Sequence, residues 1–167
     1  TGAAEVARSV GGLADAMIET SFDELKKQAR DRGIEVAQAA SIADLRAINP
    51  VTGEPEAFVV PSGFGREAAD AYEELIERRY IAQTEQDFKI KARELAIELE
   101  NDPNAVAKFS SQFGTFVEES AANASPKFEN IISNIGSALL ASNKLSLQQE
   151  ANRRERQNLA DQLGLDI

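Results

Sequence analysis

Residues 67–100 read EAADAYEELIERRYIAQTEQDFKIKARELAIELE and contain neither glycine nor proline. An apolar residue recurs in this stretch at every seventh position, with further apolar residues beside the repeat: Ile81, Phe88 and Leu95, with Ala92 and Leu99. A seven-residue apolar repeat is typical of helices that pack along a seam. At about 1.5 Å per residue this helix would run roughly 50 Å, which favours a second long helix beside it. The seam can pack inside one chain as a helical hairpin or between chains as a coiled coil, and both interpretations stay open.

A short aromatic helix is predicted to follow. Asn101 or Asp102 can cap it, with Pro103 at its first position, where the missing N–H costs nothing. Bulky side chains then share one helical face: Val106, Phe109, Phe113 and Phe116. We expect this face to form the densest part of the core.

A last helix begins at Ser125-Pro126 and is predicted to run to Leu163. Its first three turns carry an apolar stripe: Phe128, Ile131, Ile132, Ile135 and Leu139. After Leu147 the stripe positions become mostly polar. We therefore expect the second half of this helix to project from the body of the protein.

The N-terminal part predicts further helices. Residues 3–20 show helical spacing of small apolar residues, and Ser21 can cap a new helix that bends at Gly33. The apolar pattern continues to Ile48, where Asn49-Pro50 ends it. Residues 49–66 hold three of the five prolines and three of the ten glycines. They predict a turn-rich connection, with one extended segment at residues 57–60.

These patterns predict an all-α fold: an elongated helical bundle with coiled-coil-like hairpins, long helices and one Pro/Gly-rich loop at 49–66. Three segments follow from it: an N-terminal helical segment at 1–48, the connection at 49–66 and a long-helix core module at 67–167. Because the sequence begins at Thr1, we expect it to be a fragment of a larger chain.

Composition excludes several kinds of function. The formal net charge is −10, which argues against a surface that wraps duplex DNA. The chain has no histidine and no cysteine, so the sequence predicts no Ser-His-Asp arrangement, no zinc site and no cofactor. No run approaches the roughly 18 apolar residues of a membrane span, so none is predicted.

Two polar features are candidate sites. Arg153, Arg154 and Arg156 form a dense basic cluster that could contact nucleic acid or an acidic neighbour, although an ordinary solvated helix face explains it too. Glu119-Ser120 is similar to the Glu-Ser pair that begins the motif of lytic transglycosylases. That likeness makes peptidoglycan cleavage by Glu119 the enzymatic alternative, although the glycine-containing segment that the family carries downstream is missing.

A wider pattern spans about residues 64–157. Its carriers are spread over the helices: Tyr72, Arg79-Tyr80, the KARELA run at 91–96, Asp102-Pro103 followed by Ala107 and Phe109, the Ser125-Pro126 helix start, and Gln149 to Arg154. This pattern resembles the internal virion proteins of tailed bacteriophages, which are large, mostly helical proteins packaged with or ejected alongside the genome. The chain departs from the family at Phe116-Val117, where an aromatic residue followed by glycine is usual.

The resemblance implies a non-enzymatic structural or ejection component of the virion that accompanies genome delivery. Its location would be the capsid interior or the tail lumen, with delivery into the host cell envelope on infection. Its partners would be further copies of itself and the portal, tail or internal core proteins. Assembly is predicted along two seams: Ile81, Phe88, Ala92, Leu95 and Leu99, and Phe128, Ile131, Ile132, Ile135 and Leu139. A tape-measure or tail-tip protein in the tail interior and a bacterial helical adaptor are the alternatives.

Overall fold

The computed structural model of the 167-residue chain describes the backbone of residues 2–164 and the side chains of residues 21–164. Helices account for 81% of the chain, and residues 2–164 contain no strand, so the predicted all-α fold is confirmed. The helices follow in order: α1 (Gly2–Ala39), α2 (Ile42–Arg46), α3 (Arg66–Glu98), α4 (Ala105–Ala122) and α5 (Pro126–Leu163).

The chain forms two compact units, each built from two separate stretches. The first unit comprises Thr1–Ala47 and Glu56–Arg79, and the second comprises Ile48–Pro55 and Tyr80–Ile167. Helix α3 contributes its first part to the first unit and its second part to the second unit. Each unit therefore has its own internal contacts.

The first unit depends on a close approach between α1 and α3. A Cβ atom at Gly33 would overlap the backbone carbonyl of Ala68, so only glycine fits there. Helix α1 runs unbroken from Gly2 to Ala39, so the predicted new helix start at Ser21 is wrong. The glycine marks a packing contact between two helices.

The carbonyl oxygens at the end of α1 have a hydrogen-bond donor from another helix. Arg79 Nη1 donates hydrogen bonds to the carbonyl oxygens of Ala37 at 2.7 Å and Ala40 at 2.8 Å. The Ser41 hydroxyl then accepts the Asp44 N–H at 3.2 Å and caps α2. The apolar pattern that continues to Ile48 is therefore divided between α1 and α2.

The connection before α3 is pinned by a buried tyrosine. Residues 56–58 form a 3-10 turn, so the predicted extended segment at 57–60 is wrong. The Tyr72 hydroxyl donates a 2.5 Å hydrogen bond to the carbonyl oxygen of Ala57. Burial, reinforced by the charge of Asp44, raises the pKa of Tyr72 and keeps this donor protonated.

The second unit packs three helical segments around aromatic side chains. Phe109 and Phe113 of α4 stack with ring centroids 5.3 Å apart and have no exposed surface. Phe88 of α3 meets Phe113 edge-on at 6.4 Å and Phe116 at 5.2 Å. Of the predicted aromatic face, Phe109 and Phe113 are at the centre of this core, while Val106 and Phe116 are half-buried.

Helices α4 and α5 form an antiparallel hairpin through a short turn. Ser125 and Pro126 begin α5 as predicted, and the helix ends at Leu163, with Gly164 in the left-handed conformation. A Cβ atom at Gly136 would overlap the Val117 side chain, so glycine brings the two helices together. On α3, Tyr80 packs on Phe128 of α5 with centroids 4.8 Å apart.

Helix α4 begins later than the sequence predicted. Its first residue is Ala105, and Pro103 lies in the preceding turn, so the predicted proline at the first helical position is wrong. Asp102 Oδ1 accepts the Asn104 N–H at 2.7 Å, which stabilises a turn in place of a helical cap. The turn positions the acidic end of α3 beside α5.

We predict that Phe113→Ala destabilises the protein by about 3–5 kcal/mol, because it leaves a cavity in the aromatic core. Denaturant unfolding followed by circular dichroism measures this loss. Phe22→Ala is the matched control, because Phe22 is 61% exposed and its loss should change the free energy of unfolding by less than about 0.5 kcal/mol. Equal effects of the two substitutions would contradict the assignment of the core.

Candidate functional site

The two predicted assembly seams are mostly buried inside the single chain. The buried residues of the first seam are Phe88, Ala92 and Leu95 on α3 and Leu99 directly after it, and Ile81 is half-buried. On α5, Phe128 and Ile132 are buried and Ile131, Ile135 and Leu139 are half-buried. Of the two interpretations of the heptad pattern, the one that packs the seam inside a chain describes these side chains. Assembly of copies through these seams stays a prediction.

A groove of about 730 Å³ lies in the second unit, between the end of α3, the turn before α4 and the second half of α5. Its apolar lining consists of small or aliphatic side chains: Ala96, Pro103, Ala105, Leu147, Ala151 and Leu159. Three alanines leave space that longer side chains would fill. The volume falls within the range of about 300–1,000 Å³ that is common for ligand pockets.

The rim of the groove is acidic. It carries four carboxylates, from Glu100, Asp102, Glu150 and Glu155, against the single guanidinium of Arg154. Exposed charges at a groove mouth select partners of the opposite sign and speed their encounter. Lys108 and Arg153, which do not line the groove, pair with two of these carboxylates and partly compensate their charge. The groove thus combines an apolar lining with a carboxylate-rich edge.

Arg154 ties the second half of α5 to the end of α3. Its Nη1 donates a hydrogen bond to the Glu100 carbonyl oxygen, and its Nη2 lies 3.5 Å from Glu100 Oε1. Its Nε lies 3.4 Å from Glu150 Oε1. The second half of α5 therefore contacts the body of the second unit, and the prediction that it projects freely is wrong. A local ion-pair network replaces the missing apolar stripe.

The predicted arginine cluster does not act as a block of free positive charge. Arg153 binds Glu150 through two hydrogen bonds, Nη2 to Oε1 at 2.8 Å and Nε to Oε2 at 3.2 Å. These bonds, together with the nearby charges of Arg153 and Arg154, lower the pKa of Glu150. Arg156 is exposed. Contact of this cluster with DNA stays a prediction.

The turn on the other side of the groove is held by Asp102. The Lys108 Nζ donates to Asp102 Oδ2 at 2.5 Å, while the Asn104 N–H occupies Oδ1. The hydrogen bond from Lys108, and after it that from Asn104, lowers the pKa of Asp102. Charged hydrogen bonds of this kind fix the geometry of the short connection from α3 to α4.

The candidate for acid-base chemistry lies away from the groove. Glu119 is exposed on α4 and does not line the groove. Among the residues whose side chains are described, no group of three acidic, histidine or cysteine residues could hold a metal ion. Within residues 2–164, no helix combines the length and apolar character needed to cross a bilayer.

Sequence reasoning did not find the groove. Its alanines lie on separate helices, and a pattern within one helix cannot indicate that Ala96, Ala105 and Ala151 will meet. The polar composition after Leu147 is the local signal at this place, and by itself it predicts loss of contact. Comparisons with protein families, curated proteins and solved structures found no match for this chain.

The Asp102 interaction predicts a pH dependence. Because its pKa lies below the ordinary value of 3.8, this carboxylate contributes stability that is present above that value and lost as the pH falls through the lowered pKa. We expect Asp102→Asn to lower Tm at about pH 7, and the difference from the wild type to close as the pH falls through the lowered pKa of Asp102. Thermal unfolding across this range tests it.

Lys108→Gln provides the control for this prediction, because it removes the other partner. It should reproduce the loss of Tm at neutral pH, and the double variant should add little further loss. A difference in Tm that stays constant from neutral to acidic pH would show that the carboxylate charge does not contribute.

Proposed function

We propose that this chain is a non-enzymatic helical interaction module of a tailed-phage virion, acting as an internal or ejection component that accompanies genome delivery. The observation that carries the proposal is the groove of the second unit, which offers a binding surface of apolar lining and acidic rim. The resemblance of residues 64–157 to internal virion proteins supplies the biological setting. The proposal of an interaction module is also supported by the helices themselves, whose apolar faces are suited to packing.

The chemistry of the groove defines the partner that fits it. An apolar segment is favoured by the alanine and leucine lining, because its burial removes apolar surface from water. Basic residues that flank such a segment would meet the carboxylates of Glu100, Glu150 and Glu155. The proposed partner is thus an apolar segment with basic flanks, contributed by a portal, tail or internal core protein.

The partial neutralisation of the rim favours reversible binding. Arg154 already engages Glu100 and Glu150 at distances of 3.4–3.5 Å, so an incoming cation must share or displace it. Surface ion pairs contribute about 0–1 kcal/mol each, so the apolar lining supplies most of the affinity. A component that travels with the genome needs contacts that can be released.

The assignment to the virion is tested by quantitative mass spectrometry of purified virions before and after DNA release is triggered. We expect the protein in full particles and its loss together with the genome. Retention in the emptied particle would instead support the alternative of a tail-interior or capsid protein. Absence from particles under both conditions would refute the virion assignment.

The groove is tested by filling it. Ala151→Trp places a bulky ring among the lining residues. Because the ring occupies the space that a partner would fill, we expect incorporation into particles to fall more than tenfold, which corresponds to about 1.4 kcal/mol of binding. Ala141→Trp is the matched control, because Ala141 is exposed on α5 outside the groove. The same incorporation for both variants, with helical content unchanged, would exclude the groove as the binding surface.

A further inference from the structure

Helix α3 carries a second apolar stripe on the face opposite its buried seam. Ile90 is 49% exposed and Ile97 is 63% exposed, and the two residues are seven positions apart. The buried residues of this stretch lie on the other side of the helix: Phe88, Ala92, Leu95 and Leu99. Two large aliphatic side chains are thus aligned along one exposed line of a long helix.

Charges of opposite sign flank this stripe. With about 100° between successive residues, Lys89 and Arg93 lie on one side of the line through Ile90 and Ile97. Glu94 and Glu98 lie on the other side. All four residues are exposed. Lys89 Nζ also lies 3.0 Å from Glu85 Oε1 of the same helix, in an exposed pair that a partner's carboxylate can share. The helix therefore presents an apolar line with one basic edge and one acidic edge.

This arrangement is complementary to a copy of itself in a single orientation. Two parallel helices related by a two-fold axis along their length bring the basic edge of each against the acidic edge of the other. Two antiparallel helices bring like edges together, which is unfavourable. Charges beside the apolar line set partner choice and orientation in this way in coiled coils.

We propose that two copies of this chain associate through this stripe, parallel and in register, with Ile90 and Ile97 each facing their own counterparts. Lys89 then meets the partner's Glu94, and Arg93 meets the partner's Glu98. Both pairs are offset by five residues, and for Lys89 and Glu94 this is the offset that links the flanking positions of successive heptads. This inference rests on the proposed function as an assembly module and names the contact between its copies.

The stripe is short, and this sets the strength of the contact. Two isoleucines per copy bury far less than the roughly 800 Å² per partner of a standard interface. We expect a dissociation constant on the order of 100 µM for the isolated chain. Such a contact becomes effective where copies are held close together, as inside a particle.

The association is tested by sedimentation velocity of the wild-type chain from about 10 to 500 µM, a range that brackets the expected dissociation constant. The weight-average mass should rise from 18.1 kDa towards twice that value. Ile90→Asp with Ile97→Asp should remain monomeric throughout. Ile42→Asp is the matched control, because Ile42 is also 49% exposed but lies on α2, and it should behave as the wild type does.

A wild-type chain that stays monomeric at the highest concentration would overturn the inference, and so would a double variant that associates as well as the wild type. Circular dichroism checks that each variant is folded. Should the aspartate variant lose helical content, Ile90→Gln with Ile97→Gln removes the same apolar surface with residues that favour helix.

The orientation is tested by cross-linking, which the absence of native cysteine makes unambiguous. In a parallel dimer, chains carrying Ile97→Cys should form a disulfide with each other on oxidation, because equal positions face each other within bonding distance. In an antiparallel dimer, a mixture of Ile90→Cys and Ile97→Cys chains should instead cross-link to each other. Preferential formation of that mixed product would overturn the parallel arrangement.

The charged edges are tested by reversal and rescue. Lys89→Glu should weaken association about fivefold, because it places like charges together on both sides of the dimer. Adding Glu94→Lys to the same chain should restore it. Failure of the rescue would remove the electrostatic basis of the orientation.

The outcomes separate this inference from the proposed function. A monomeric protein that is nevertheless ejected with the genome would reject the dimer and keep the virion assignment. A dimeric protein that is absent from particles would keep the dimer and reject the virion assignment.

Discussion

The second unit depends on the burial of Phe109 and Phe113, which have no exposed surface. Their rings stack on α4 and meet Phe88 of α3, so one short helix connects the packing of two longer ones. Burial of aromatic rings supplies more stabilisation per residue than the alanine-rich seams around them. The rest of this unit, including its groove, is arranged around that core.

Small residues decide how closely the helices approach. Gly33 admits the backbone of Ala68 in the first unit, and Gly136 admits Val117 in the second. Where small residues face each other without such a neighbour, a groove is left, as at Ala96, Ala105 and Ala151. Small residues therefore give close packing where a backbone or side chain lies opposite them, and an open groove where none does.

Ion pairs replace apolar contacts in the second half of α5. Beyond Leu147 the helix has few large apolar residues, yet Arg154 connects it to Glu100 and Glu150. Surface ion pairs of this kind contribute little stability individually. These ion pairs matter for position, because they hold the walls of the groove in place.

The sequence by itself determined the all-α class, the extent of α5 and the aromatic face of α4, because periodicity and caps within one helix are local properties. It also placed α3 to within two residues at either end. The break at Ala39, the 3-10 turn at Glu56–Phe58 and the contact of the arginine-rich helix with α3 were decided by tertiary structure. Each depends on partners distant in sequence: Arg79 on the end of α1, Tyr72 on Ala57, and Arg154 on Glu100. A pattern along one segment does not specify which distant group will satisfy a carbonyl oxygen or a charge, so these features became visible only in the folded chain.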